Sequence, residues 1–226
     1  MKTGLIVAMQ SEFELVSKIL DHPKTKTIRH IDFTEGFFGG KEVILMKSVI
    51  GKVNAAAATV EMINSFSPDA IIKTGLAGGI DKSLSVMDIV IGQETAYHDV
   101  WCGEGNKYGQ VQGLPACYAA DTHLLNKARA ITSDIHLHSG LIVSGDKFIT
   151  ASDELSAIKN EFPAALAVDM ESAAIAQICH LYDTPFLALR IISDTPGIEN
   201  HYRQYQDFWT QAPEKSLEAI RQLLTD

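Results

Sequence analysis

The sequence predicts an α/β protein in which helices sandwich a mainly parallel or mixed sheet. Three observations carry this. Apolar runs of strand length alternate with helix-length segments along the 226 residues. Several of those runs are apolar throughout, as strands buried on both faces are. Turn-forming residues follow the runs, as in Thr74-Gly75-Leu76-Ala77-Gly78-Gly79.

Lys2 to Ala8 reads as the first strand and Ser11 to Leu20 as a helix. The N-terminal apolar run is too short for a signal peptide, and Gln10-Ser11-Glu12 turns polar without a small-residue cleavage site. Ile28 to Lys47 holds short meandering strands, with turns at Glu35-Gly36 and Gly39-Gly40. Lys52 to Phe66 is an alanine-rich helix stopped by Ser67-Pro68. Ala70 to Thr74 is a buried strand, and Val86 to His98 is strand-like. Asp121 caps a helix, and Ile135 to Val143 returns as a strand. Asp153 to Phe162 and Met170 to Tyr182 are helical. Pro185 to Ile192 is an apolar strand, and Tyr205 to Leu224 carries the last helix. With no repeat, low-complexity stretch or long linker, residues 1–226 are expected to form a single domain.

Composition narrows the function. No apolar run reaches the roughly 18 residues that span a bilayer. The net charge is −9 without any Lys/Arg run, which disfavours nucleic acid and an anionic membrane surface as partners. Cys102, Cys117 and Cys179 are scattered, with no CxxC pair, so a reducing cytoplasm is expected.

The Pro185 strand delivers Arg190, Ser193 and Asp194 together at its carboxyl end, where α/β proteins bind ligands. A carboxylate there, kept from water, suits a general acid. Its ordinary alternative is a cap on the turn Asp194-Thr195-Pro196-Gly197. Glu12 lies at a strand-to-helix junction, either as a first-turn acid favoured by the helix dipole or as a base that activates water. In the Thr74 to Gly79 segment, Gly78 among others lets backbone approach a ligand closely, or simply makes a turn. Phe148 and Ile149 follow the strand Leu141-Ile142-Val143; a phenylalanine there stacks on a planar base or belongs to the core. In Val168-Asp169-Met170-Glu171, Glu171 is placed to accept two vicinal hydroxyls while Met170 offers an apolar face; both acids also suit a helix N-terminus.

Other chemistries lack their motifs. There is no GxGxxG. Ile50-Gly51-Lys52-Val53 fails as a phosphate loop, because Met46 stands at the first glycine position and Val53 replaces Ser/Thr. His98-Asp99, and His136 with His138, lack further ligands at metal spacing, and no GxSxG is present. No metal and no cofactor is implied.

Seven segments in order resemble the purine nucleoside phosphorylase superfamily, and more closely its bacterial 5′-methylthioadenosine/S-adenosylhomocysteine nucleosidases. They are Gly4 to Met9 through Glu12, Ser48 to Ala55, Thr74-Gly75 with Ala77-Gly78-Gly79, Tyr97-His98-Asp99, Ser144-Gly145-Asp146 with Phe148-Ile149, Asp169-Met170-Glu171, and Ser193-Asp194. The resemblance implies a nucleoside phosphorylase-like three-layer α/β/α sandwich with a central mixed sheet. It implies catalytic roles for Glu12 and Asp194. Substrate binding would fall to Glu171, Met170, Phe148, Ile149, Ile50, Arg190, Ser193 and Gly78. It also implies a homodimer in which a neighbouring subunit's loop, here around Gly109 to Pro115, closes over the 5′ substituent. Departures are Leu76 for a small hydroxyl residue, Asp169 for Glu, and the stretch 100–106.

The implied reaction is hydrolysis of the N-glycosidic bond of a 5′-substituted adenosine. Asp194 would have to be protonated, as burial favours, to serve N7 of the purine, while Glu12 takes a proton from water. 5′-Methylthioadenosine and S-adenosylhomocysteine, and with them 5′-deoxyadenosine, are the implied substrates. The rivals are a phosphate-dependent phosphorylase, an aminodeoxyfutalosine-type nucleosidase and a non-catalytic storage-type relative. Phosphate needs convergent cations, whereas the turn at Met9 to Glu12 offers an acid.

Overall fold

The structure is a computed structural model and describes residues 1–132, 135–195, 208 and 213–225. In chain order its elements are β1 (Thr3–Val7), α1 (Gln10–Ser17), β2 (Asp21–Ile28), β3 (Ile31–Phe38), β4 (Lys41–Lys47), α2 (Lys52–Phe66), β5 (Ala70–Lys73) and β6 (Leu76–Gly79). There follow β7 (Ile89–Tyr97), β8 (Tyr118–Ala119), α3 (Thr122–Arg129), β9 (Leu137–Ser144), α4 (Ser152–Glu161), β10 (Ala165–Asp169), α5 (Ser172–Leu181), β11 (Phe186–Asp194) and α6 (Pro213–Leu224). The Tyr205 start expected for the last helix lies outside the described residues, as do Pro196 and Gly197 of the expected turn.

Eleven strands join in one sheet, in the order β2-β3-β4-β1-β5-β11-β6-β10-β9-β7-β8. The sheet is mixed: β1 pairs parallel with β4 and β5, while β11 pairs parallel with β5 and β6 and antiparallel with β7. That last pairing closes β11, β6, β10, β9 and β7 into a ring.

Period-two alternation splits the core into layers. Leu5, Leu45, Ile72, Leu189 and Ile191 face α1, α3 and α6. Ile6, Ile44, Ile71, Ala188 and Ile192 face α2 and α5. Helices therefore cover both faces of a mixed sheet, the expected three-layer α/β/α arrangement. A third cluster packs α4, through Ile158, onto Val143, Ala165 and Val168.

Local chemistry explains the element ends. The Asp121 carboxylate accepts from Leu124 N–H at 3.0 Å and caps α3. Ser67, with φ at 46°, closes α2 in the left-handed region just before Pro68. Three expectations need correction. Glu35 and Gly36 lie inside β3, paired to Ile44 and Val43; the turn is Arg29-His30, both with positive φ. β2 precedes it as an exposed edge strand, with Pro23 at a register shift, where an edge tolerates a missing donor. Leu76–Gly79 is also a strand rather than a turn, and a Cβ on Gly79 would stand 2.9 Å from Ile192 Cγ2.

Candidate active site

The carboxyl ends of β1, β10 and β11, with Leu76 to Gly78 of β6, open onto one cleft of about 520 Å³, counted to its mouth. Glu12, Ile50, Gly78, Phe148, Met170, Glu171, Arg190, Ser193 and Asp194 all line it. Ile149 lines the adjoining recess with Gly78, Phe148, Met170 and Asp194. The residues selected from the sequence thus converge, although they come from positions 12 to 194.

Glu12 is buried in the first turn of α1. Its Oε2 accepts from Ala8 N–H at 2.9 Å and Met9 N–H at 3.0 Å, and its Oε1 from Leu76 N–H at 3.0 Å. A carboxylate offers about four acceptor positions, so roughly one is left for a water O–H. Leu76 thus holds Glu12 through its backbone N–H, and its side chain brings no hydroxyl to the cleft. Gly75 makes the approach possible. It sits at φ +119°, and a Cβ there would run into the Glu12 carboxylate.

The start of α5 brings charges together. Asp169 is wholly engaged. It accepts from Ser144 Oγ at 2.5 Å, from Ser172 Oγ, and from the N–H groups of Glu171 and Ser172 at 3.3 and 3.2 Å. Arg190 Nε stands 3.2 Å from its Oδ2. Burial works against the charge, but Arg190 and the two serine hydroxyls outweigh it and hold this carboxyl below its ordinary range. Glu171 instead faces the cleft. Its Oε1 accepts from Gly51 N–H at 3.1 Å, while Oε2 lies 3.8 Å from Lys73 Nζ and 3.9 Å from Arg190 Nη2. Burial pushes the Glu171 carboxyl above its ordinary range; Lys73 opposes this, and Asp169 adds to it.

Arg190 belongs to this scaffold. Its Nη1 donates to Thr74 O at 2.7 Å and its Nη2 to Leu76 O. At the end of β11 the register against β6 shifts between Ile192 and Asp194, so Ser193 and Asp194 both reach the cleft. Re-aiming side chains is what such bulges do. Ser193 Oγ is 2.6 Å from Asp194 Oδ1 and 3.4 Å from Ala77 O. Asp194 itself is 2% exposed.

The loop after β9 carries Phe148 to the cleft, where it stays 43% exposed. Its base is braced: Asp146 accepts from Lys52 N–H at 2.7 Å, and Lys52 Nζ binds both oxygens of Asp99 at 2.7 Å. Lys52 therefore serves two carboxylates rather than a phosphate loop. His138, expected to lack partners, sits 3.1 Å from Asp88 Oδ2. Among the described residues, no group of three or more His, Cys, Asp or Glu is arranged to hold a metal, and no helix is long and apolar enough to cross a membrane.

Sequence reasoning missed Lys73. The available signal was a charged residue closing the apolar run Ala70-Ile71-Ile72 at the ligand-bearing edge of the sheet.

A closed-ring α/β/α fold with a cleft lined by carboxylates defines the class, and the model of the phosphorylase superfamily matches residues 2–225. A 5′-methylthioadenosine/S-adenosylhomocysteine nucleosidase of Bacillus subtilis is 40% identical over 99% of this chain and 98% of its own. The crystal structure of the Neisseria meningitidis nucleosidase of that name, in complex with methylthio-immucillin-A, superposes with a TM-score of 0.94 at 39% identity, covering 99% of this chain and 98% of that one. The nucleosidase from Colwellia psychrerythraea, in complex with adenine, does so with a TM-score of 0.94 at 35% identity, over 99% and 94%. The chain belongs to the phosphorylase superfamily, in its branch of 5′-methylthioadenosine/S-adenosylhomocysteine nucleosidases.

Proposed function

We propose that this chain hydrolyses the N-glycosidic bond of 5′-methylthioadenosine and S-adenosylhomocysteine, and also of 5′-deoxyadenosine, releasing adenine. One observation carries the reading: Glu12, Glu171 and Asp194, remote in sequence, line a single cleft. Relatives bearing the nucleosidase name, one bound to adenine, support the substrate class.

As the C1′–N9 bond breaks, the sugar gains positive charge and the purine negative charge. Asp194 gives its proton to N7, so adenine leaves neutral. Glu12 takes a proton from the water whose oxygen bonds to C1′. Glu171 accepts from the ribose hydroxyls, and its charge favours the cationic sugar. Phe148 stacks on the purine, backbone beside Ile149 meets its edge, and Met170 packs on the sugar. Ile50 and Gly78 shape the walls, Ser193 steadies Asp194, and Arg190 holds Asp169 and the β6 backbone in place. Each proton transfer is worth about 10²–10⁴-fold.

A phosphorylase would need free cations at the attacking side. Arg190 is the cation in the described lining, and it is committed to Asp169 and two carbonyls. Water is the better nucleophile here. Adenine release should proceed at full rate in phosphate-free buffer, with kcat/KM compared across 5′-methylthio, homocysteinyl and 5′-deoxy substrates. Dependence on added phosphate would refute hydrolysis, and no release from any of them would point to the storage-type alternative.

The same reading includes a cytoplasmic homodimer. Cys102, Cys117 and Cys179 are free thiols, which suits a reducing compartment. Ile50 of the cleft lining is 47% exposed, and Val53, three residues on, is 79% exposed. The described lining of the cleft takes nothing from residues 100–115, which leaves Gly109 to Pro115 available to a neighbouring subunit's site. Sedimentation should give twice the 24.7 kDa chain mass; a fully active monomer would remove the partner loop.

A further inference from the structure

Lys73 takes no part in the reaction above, yet its side chain is 0% exposed and its Nζ has no hydrogen-bond partner among the described residues. Lysine is almost never buried so completely without a charge to serve. Its backbone pairs with Ile6 on one side and Ala188 on the other, and strand alternation sets it with Ile71 beneath α2 and α5. The charges that face it are Glu12 from α1, Asp169 from β10, Glu171 at the start of α5, and Arg190 from β11.

Three of those four are already claimed. Glu12 takes three backbone N–H groups. Arg190 and Asp169 are paired at 3.2 Å, and the Arg190 Nη atoms go to carbonyl oxygens. Glu171 is left with Gly51 N–H on Oε1 and, near Oε2, the Lys73 ammonium at 3.8 Å and the already committed Arg190 Nη2 at 3.9 Å. We propose that Lys73 is a positioning residue for sugar recognition: its ammonium holds Glu171 as an oriented carboxylate, so that Oε2 accepts from the ribose hydroxyls. This rests on the proposed role of Glu171 as acceptor for the diol.

An ionised carboxylate only accepts, whereas a protonated one spends an oxygen as a donor and cannot receive both hydroxyls. Burial opposes the charged forms of both Glu171 and Lys73, and Arg190 adds to the second, while Glu171, Glu12 and Asp169 favour the ammonium. With all five groups ionised the cluster carries three negative charges against two positive. Without Lys73 the imbalance grows to three against one. Glu171 then protonates at higher pH, and the acid limb of kcat/KM moves upward.

The test compares wild type with Lys73→Met on 5′-methylthioadenosine and its 2′-deoxy counterpart across pH. For the variant we expect kcat/KM on the ribonucleoside to fall about tenfold, mainly through KM, and the acid limb to rise by about one pH unit. The preference for ribose over 2′-deoxyribose should shrink by a similar factor of about ten, because the deoxy sugar lacks the hydroxyl at stake. Unchanged KM, acid limb and sugar preference would overturn the inference. If Lys73→Met does not fold, Lys73→Gln carries the same three readouts. Glu171→Gln/Lys73→Met adds a check on coupling. It should match Glu171→Gln alone within about twofold, and a further tenfold loss would show Lys73 acting elsewhere. A wild type unable to release adenine would sink the proposed function itself; an active wild type with an indifferent Lys73→Met would sink only this inference.

Discussion

Asp194→Asn should lower the turnover number for adenine release by about 10²–10⁴-fold and leave KM within a few-fold. Asparagine keeps the size and shape of the side chain. Its Oδ1 still accepts from Ser193 Oγ, now 2.6 Å from the aspartate oxygen, so the bulge at the end of β11 has no reason to change. The amide still offers a hydrogen bond toward N7 but has no proton to transfer. The variant therefore separates holding the purine from protonating it. Melting within a few degrees of wild type would confirm an intact fold, and single-turnover rates would report the chemical step. A variant that releases adenine at nearly the wild-type rate would remove Asp194 from catalysis and leave it a structural residue of the strand end.

The sheet and its cleft were legible for different reasons. Runs such as Ala70-Ile71-Ile72 and Phe186 to Leu189 announce strands covered on both faces, because no polar position interrupts them before Lys73 and Arg190. The cleft followed from what stands where those runs end. β2 escaped notice because Asp21–Ile28 is an exposed edge whose side chains face water, so no apolar alternation marks it. The Arg29-His30 turn has positive φ without glycine or asparagine, the usual advertisement. β6 is hidden for the opposite reason: its glycines look like a turn, yet Gly79 leaves room for Ile192 of the neighbouring β11. Lys73 reads locally as one more residue of the strand Ala70 to Thr74. Its importance depends on Glu171, almost a hundred residues later, and no local pattern expresses that distance.

Gly75→Ala should be nearly as damaging as removing Glu12, with a loss of about 10²–10⁴-fold in turnover, although Gly75 is assigned no chemical step. Two effects combine. The φ of +119° is strained for any side chain, a cost of about 1–3 kcal/mol in stability. The added methyl would also occupy the space of the Glu12 carboxylate and stand 3.1 Å from Arg190 Nη1. Glu12 is the softer neighbour, since Arg190 is pinned by Asp169 and two carbonyls. The carboxylate should therefore leave the Leu76 N–H and swing away from the position of the attacking water. Gly40→Ala separates the two effects. Gly40 also has positive φ, at +79°, but a Cβ there meets nothing within 4 Å. It should cost stability alone and keep turnover unchanged. In a Glu12→Ala background, Gly75→Ala should take away no further activity, because the group it displaces is already gone. Turnover by Gly75→Ala within threefold of wild type would mean that the placement of Glu12 does not govern the attack of water.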